Sequence, residues 1–538
     1  MSGAAAIAEH RLPGALARRA AAGGWLKWAI LLSASFGAML EIIDTSIVNV
    51  AMPYMQGNLG ATLSEIGWVS TGYSMANVIV IPLSAWLGQR FGKKQYFLFS
   101  LVAFTIASVA CGLATNLATL IIARVFQGLG GGGLLAKAQA ILFETFPPSE
   151  QAVASSVFGM GVIAGPAIGP ALGGFLTDNL NWRWIFFINI PFGILAVWMI
   201  STFMPHDEVD TEHPAHTADV DWLGIGLLAV GLGCLQAVLE QGQQEDWFSS
   251  DFIRSMSFFS VTALLLFVWH EFHTPHPAVD LRVLRHRSLA AGSLFSVLLG
   301  MGLYGTLFVV PIFAQGVLNF TATKTGVMLI PGAIASAAGM IIAARLSKVL
   351  DPRATIGIGG LMTALVMFSL ANLNPDTGED QFFWPLIFRG LGSVLMFLPL
   401  SIATLGALPK NDIPAAAGFF SLTRQLGGSI GIAFITTLVS KREMVHRSQL
   451  VYHVSELNPD YAGRLNSSLS LFHSNTGDPV MAQQQALAAI DRSVNLQAGL
   501  LSYIDIFHAV GFLFIITLPL LALLSRGGKN QNVEAEVH

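Results

Sequence analysis

Glu41 and Asp44 stand three residues apart in an apolar run near the N-terminus, and Arg124 stands in another. A charged side chain inside a membrane-length apolar segment costs several kcal/mol on insertion scales, so such a residue is read first as functional. Positions three apart share a helix face. At a rise of about 1.5 Å per residue, Asp44 lies roughly 12 Å below the outer end of its helix. Arg124, on a helix running the other way, lies roughly 9 Å below its own outer end. The similar depth predicts that the two pair if their helices are neighbours. A carboxylate beside a guanidinium stays ionised, and one parted from it in a dry interior takes up a proton. Asp44, Glu41 and Arg124 are therefore candidates for proton coupling, with protonation as the conformational switch. A static ion pair that only fixes helix packing is the alternative.

Further charges lie in apolar runs of the second half. Arg389 and Asp505 fall at similar estimated depth, His508 lies one turn below Asp505, and Arg424 sits inside the thirteenth run. Polar residues within runs suggest a substrate cavity lined by Asn77, Gln127, Tyr304, Arg424, Asp505 and His508, with Glu41 as another contact. Lys137, near an inner helix end, is expected to snorkel to the surface.

These residues need a bilayer around them. The 538 residues are 53% hydrophobic and only 11% charged, with a net charge of -4. Soluble proteins carry about 25% charge. Apolar runs of roughly 20 residues recur about fourteen times, and twelve is the alternative count. The seventh and eighth runs, near 220–241 and 252–271, hold the most flanking polar residues. The reading is an all-α, multi-pass integral membrane protein. Its first run is retained as a helix, since no small-residue cleavage site follows it.

Enzyme signatures are missing. Gly128 to Gly133 mimics a phosphate loop, but Leu134 and Leu135 follow where Lys and Ser or Thr are required. The run lies within a span, so helix packing is expected of it. No Ser-His-Asp or zinc pattern is visible, and Cys111 and Cys234 offer neither a disulfide framework nor a metal ladder. No cofactor, metal or nucleic-acid partner is expected. His206, His213 and His216 lie in an acidic stretch read as a solvated linker.

Lys and Arg bias sets orientation. With the N-terminus inside, short inside segments hold most of them, including Arg11, Arg90, Lys93, Arg285, Arg345, Lys348, Lys410, Arg526 and Lys529. Short outside loops hold only Arg183, Arg254 and Lys324. Both termini are thus expected in the cytoplasm. The expected organisation is a tail over 1–27, a six-helix bundle over 28–203, a linker with two inserted helices over 204–286, a second six-helix bundle over 287–524, and a tail over 525–538. Within the second bundle, 441–498 reads as a long, polar periplasmic loop, with helical composition over Pro479 to Ile490.

Small residues recur every four positions from Gly161 through Gly165 and Gly169 to Gly173, next to Gly174. Such spacing lets another helix approach closely. Pro166 and Pro170 remove backbone donors and favour a bend. A helix of this kind suits the place where two bundles rock against each other.

Together these pieces resemble the major facilitator superfamily, and within it the fourteen-helix drug:proton antiporters of the EmrB/QacA type. Asp44-Thr-Ser-Ile-Val-Asn-Val-Ala-Met-Pro53 resembles that group's first-helix motif. Gly88, Arg90, Gly92 and Lys93 resemble the superfamily's loop motif, which usually carries Asp where this chain has Gln89. Arg124-Val-Phe-Gln-Gly128 resembles the fourth-helix motif, whose Arg is tied to proton coupling. Gly161 to Gly174, with Pro166 and Pro170, resembles the fifth-helix antiporter motif. The stretches Trp182 to Pro191, Asp246 to Ser250 and Gln483 to Ala486 resemble the EmrB-like branch. The resemblance implies the major facilitator fold, two six-helix bundles with two inserted helices. It implies proton-gradient-driven export of amphipathic drugs from the bacterial inner membrane. It also implies a periplasmic membrane-fusion adaptor (EmrA-like) and an outer-membrane channel (TolC-like). A metabolite, siderophore or fatty-acid exporter on the same fold is the first rival, and a non-transporting sensor the second.

Overall fold

The computed structural model describes residues 14–207, 220–347, 349–455, 458–476 and 478–523. His213 and His216 of the linker, and Arg11, Lys348, Arg526 and Lys529 among the basic residues, lie outside the described residues. Among the described residues the elements are helices and turns, with no strand. Fourteen helices are long and apolar enough to cross a membrane. They are numbered here as spans 1 (Leu26–Leu59), 2 (Ser64–Phe91), 3 (Lys93–Leu113), 4 (Leu117–Thr145), 5 (Pro148–Asn179), 6 (Trp184–Phe203) and 7 (Trp222–Gln241). Then follow spans 8 (Asp251–His273), 9 (Arg287–Gly316), 10 (Thr323–Leu346), 11 (Pro352–Leu370), 12 (Asp380–Leu405), 13 (Ile413–Tyr452) and 14 (Pro479–Ala522).

Local chemistry sets the helix starts. Thr62 and Glu65 form a capping box before span 2, and Asn116 and Thr119 form one before span 4. Each satisfies amide donors that the first turn would otherwise leave free. Pro148, Pro352 and Pro479 open spans 5, 11 and 14, where the missing N–H costs nothing.

Spans 1 and 5 pack together, span 5 packs on span 10, and span 9 packs on span 13. Span 7 inserts against spans 2 and 13, with span 8 outside it. The turn joining spans 7 and 8 places Asp246 and Trp247 at positive φ, and the Trp247 Nε1–H donates to Thr437 Oγ1 of span 13 at 3.0 Å. An even number of crossings puts the described chain ends on one face, called here the terminal face.

Two expectations are corrected. The described residues of the polar segment 441–498 are mostly helical, well beyond the helical composition read over Pro479 to Ile490. Span 13 runs on to Tyr452, a separate helix covers Pro459–Thr476, and span 14 begins at Pro479. Spans 13 and 14 are 40 and 44 residues long. At about 1.5 Å per residue they exceed a bilayer core of about 30 Å by a similar length again. Arg447 ties the two rods together beyond the apolar zone, donating to Asp491 Oδ1 at 2.8 Å and Asn495 Oδ1 at 2.7 Å. This is the projecting face.

The second correction concerns the glycine run of span 4. It packs closely, as expected: a β-carbon on Gly130 would sit 2.8 Å from the Phe104 nitrogen. It also breaks the helix. Gly132 leaves the helical conformation and Gly133 has φ +79°, so the span is two half-helices meeting at a left-handed glycine.

Candidate functional site

The core of the first bundle holds a closed ionic cluster. Arg124 Nη1 donates to Asp44 Oδ2 at 2.6 Å and to Gln127 Oε1 at 2.7 Å. Its Nε–H donates to the Val69 carbonyl of span 2 at 3.1 Å, and its guanidinium lies 4.2 Å from the Tyr73 ring centroid. Asp44 Oδ1 accepts from Gln127 Nε2 at 2.8 Å and from Asn189 Nδ2 at 2.7 Å. Asp44 is 0% exposed and Arg124 1%. Such burial is tolerable only with every charge paired and hydrogen-bonded, as here. Spans 1, 2, 4 and 6 all contribute, so a change in this pair's charge reaches four helices at once.

Glu41 shares a helix with Asp44 but belongs to a second cluster. Its Oε1 accepts from Asn77 Nδ2 at 2.8 Å. Its Oε2 accepts from the Leu135 N–H at 2.9 Å. That amide is free because span 4 breaks just before it, and the positive end of the new half-helix favours a carboxylate. Asn77 also approaches the Tyr73 hydroxyl at 3.5 Å, and Tyr73 lies under Arg124. The two carboxylates are thereby linked through side chains of span 2.

Lys137 is corrected. It does not snorkel; its Nζ donates to Ser100 Oγ at 2.7 Å and sits 3.5 Å from the Tyr96 ring centroid. The ring and hydroxyl hold the ammonium inside, where it lines a cavity of about 730 Å³ near the terminal face. Ser84, Gln89, Glu144, His206 and Lys410 also line that cavity. The residues read as substrate contacts are not in this lining. Asn77 and Gln127 are engaged in the clusters above. Tyr304 packs beside Gly428, close to Arg424. Arg424 is 1% exposed, with the Phe397 ring centroid 5.3 Å away.

Arg389 and Asp505 are not paired. Arg389 Nη1 donates to the Thr306 carbonyl at 3.2 Å, and Asp505 Oδ2 meets His446 Nε2 at 2.9 Å and Arg442 Nε at 3.4 Å. Their partners lie on different spans, Thr306 on span 9 for Arg389 and His446 and Arg442 on span 13 for Asp505. His508 is exposed, its Nδ1 bonded to the Ile504 carbonyl and its ring beside Phe368.

The loop-motif residues lie beside the cavity near the terminal face. Lys93 Nζ donates to Glu144 Oε1 at 2.8 Å, and the Lys94 N–H donates to Asp207 Oδ1 at 3.1 Å, beside Gly92 at φ +88°. Glu144 and Asp207 thus bring acidic contacts to a loop that has Gln89 in place of Asp. In the antiporter-like segment, β-carbons on Gly165, Gly169 and Gly173 would all run into span 1, at Ile42, Ser46 and Ile47.

At the projecting end a carboxylate bonds both halves. Asp178 of span 5 accepts from the Tyr54 hydroxyl of span 1 at 2.5 Å and from Thr323 Oγ1 of span 10 at 2.7 Å. The contact is exposed, so its contribution is small. Asp178→Ala is expected to raise the reactivity of a buried cysteine toward a reagent added at that face by only a few-fold, read by maleimide labelling. Unchanged labelling would remove Asp178 as a latch.

Asn189 and Tyr73 are site residues the sequence reading did not single out; for Tyr73, one phenol within an apolar run was the sign. For Asn189 it was one amide in an otherwise apolar stretch, Trp184-Ile-Phe-Phe-Ile-Asn-Ile-Pro191.

Comparison with known proteins places this geometry in context. The profile of the Major Facilitator Superfamily matches residues 34–432. The multidrug export protein EmrB of Escherichia coli strain K12 is 34% identical over 491 residues, 91% of this chain and 94% of that protein. The fatty acid resistance protein FarB of Neisseria gonorrhoeae is 30% identical over 501 residues, covering 93% and 96%. Among solved structures, a human organic anion transporter (TETRAN) superposes with a TM-score of 0.57 at 13% identity, covering 92% of this chain and 99% of that one. The proton:xylose symporter XylE gives 0.55 at 14% identity, covering 93% and 99%.

Proposed function

The chain belongs to the major facilitator superfamily, and on that footing we propose that it is a proton-coupled multidrug exporter rather than an enzyme. The observation that carries the reading is the buried Asp44–Arg124 pair, linked through Tyr73 and Asn77 to Glu41, whose carboxylate lies within the field of Lys137 at a cavity's edge. A scaffold or sensor has no need of ionised groups held so deep, since each must be compensated by several donors. The EmrB relative supports drugs as cargo. Protonation at Asp44 or Glu41 from outside resets the carrier after release.

In this reading the terminal face is cytoplasmic, the projecting face periplasmic, and the membrane the bacterial inner membrane. The helical projection is where an EmrA-like adaptor docks, leading to a TolC-like channel. A cysteine at Ser470 is expected to crosslink to a co-expressed adaptor; no crosslink from any position along the projection would remove that partner.

A second reading has a specific observation behind it. Lys137 and Lys410 both line the cavity, which suits anionic amphiphiles such as the fatty acids named for the FarB relative. One experiment addresses both. Acid-loaded inverted vesicles are challenged with hydrophobic cations, weak acids and neutral drugs while proton release is followed. Release with several chemical classes supports the multidrug reading. Release with long-chain acids alone selects the second reading, and silence throughout, with adaptor present, sinks proton-coupled export.

A further inference from the structure

Span 7 carries a carboxylate that the cycle described above leaves unused. Glu240 lies near the end of the span, where it packs against spans 2 and 13. Gln236, one turn earlier, donates through Nε2 to Glu240 Oε1 at 2.6 Å and to Ser429 Oγ of span 13 at 2.7 Å. The Thr71 and Ser74 hydroxyls of span 2 also hydrogen-bond the carboxylate. Gln241 donates to Thr71 Oγ1 at 2.8 Å. The neighbourhood thus bridges the first bundle, the inserted pair and the second bundle.

The hydrogen-bond count here does not balance. Gln236 and Gln241 are 0% and 1% exposed, and the amide oxygen of each has no donor. The Thr71 hydroxyl also lies 3.2 Å from the Gly67 carbonyl. The two amide oxygens flanking Glu240 are thus left without a donor. A buried acceptor without a donor is unfavourable. Turning the Gln236 amide over does not help, because its oxygen would then face a carboxylate. One added proton turns the Glu240 carboxyl into a donor, which the oxygen of a turned Gln236 amide can accept.

Charged groups do not supply that compensation. The faces of spans 2 and 13 turned toward Glu240 present hydroxyls. The charge whose field reaches it is Arg124 of span 4, already bound to Asp44. Glu245, in the turn after span 7, accepts from the Ser250 hydroxyl.

We propose that Glu240 is a second proton-binding carboxylate of the carrier, filled and emptied as Gln236 gains and loses Ser429 when the bundles move. The proposal rests on the proton-coupled reading for its role in transport, but not for proton binding itself. The inserted pair is then a working part of the cycle, and more than one carboxyl titrates in each turnover.

The test is pH-difference infrared spectroscopy on the full-length protein in phosphatidylethanolamine–phosphatidylglycerol vesicles, without cargo. Wild type is expected to show a protonated-carboxyl band that Glu240→Gln lacks, while the band lost in Asp44→Asn persists in Glu240→Gln. Uphill extrusion by Glu240→Gln is expected to fall at least tenfold. An unchanged spectrum in Glu240→Gln would overturn the proposal even if drug export itself were proven. Displacement of the band by sodium at constant pH would overturn it in favour of a sodium site. Should Glu240→Gln not reach the membrane, Gln236→Leu leaves the carboxyl in place and should shift its band; no shift counts against the site.

Discussion

Asparagine in place of Asp44 is expected to abolish uphill drug extrusion while the protein still reaches the membrane. The oxygen of an asparagine can accept from Gln127 and Asn189, which both donate to Asp44 Oδ1. Its NH2 group, however, would face Arg124 Nη1, donor against donor. Breaking one side of a buried ion pair costs about 3–5 kcal/mol. Part of that is offset here, because Arg124 keeps the Val69 carbonyl, Gln127 Oε1 and the Tyr73 ring. Thermal stability should therefore drop without collapse. The decisive comparison is the double variant Asp44→Asn/Arg124→Gln, which removes both charges. It should recover stability but not transport. Recovery of both would reduce the pair to a packing device.

Leucine at Gly326 is expected to hold the carrier open toward the projecting face. A β-carbon there would lie 2.6 Å from Ala171 Cα and 2.9 Å from the Ala171 nitrogen. Those are backbone atoms of span 5, so no side chain can swing aside. Overpacking of this kind costs about 1–3 kcal/mol. It falls on the closed state alone, because spans 5 and 10 belong to different halves and separate when that face opens. A shift of about 3 kcal/mol changes a two-state ratio by more than about a hundredfold. With Cys111 and Cys234 removed, a cysteine at Ser46 should react far faster with maleimide from that side in Gly326→Leu, and transport should fall at least tenfold. Unaltered labelling would show that this contact does not move.

Depth was legible in the sequence and azimuth was not. The rise of a helix fixes how far down Asp44 and Arg124 lie, and the structure brings them together. The same arithmetic set Arg389 level with Asp505, yet their partners are Thr306 of span 9 and His446 of span 13. Nothing in residue spacing says which way a span turns within its bundle. The break in span 4 follows from glycines whose neighbours lie on other spans, which a linear chain does not display. The polar stretch after Lys441 reads as a loop, apart from the helical composition over Pro479 to Ile490, because it is rich in Asn, Gln and Ser. Its helices need few apolar residues, since they pack on one another beyond the apolar zone. Asn77 and Gln127, read as cavity polar residues, bond to the two carboxylates.

The overlong spans 13 and 14 have a mechanical consequence. Both belong to the second half, and both continue as stiff rods past the apolar zone. Rotation of that half about a pivot inside the membrane displaces each point in proportion to its distance from the pivot. The tip therefore sweeps further than any residue around a cargo. A protein gripping the tip would work with leverage: it could brake the rocking with weak contacts, or sense each stroke as a large excursion. Transport and docking would then be geared to each other through the length of two helices.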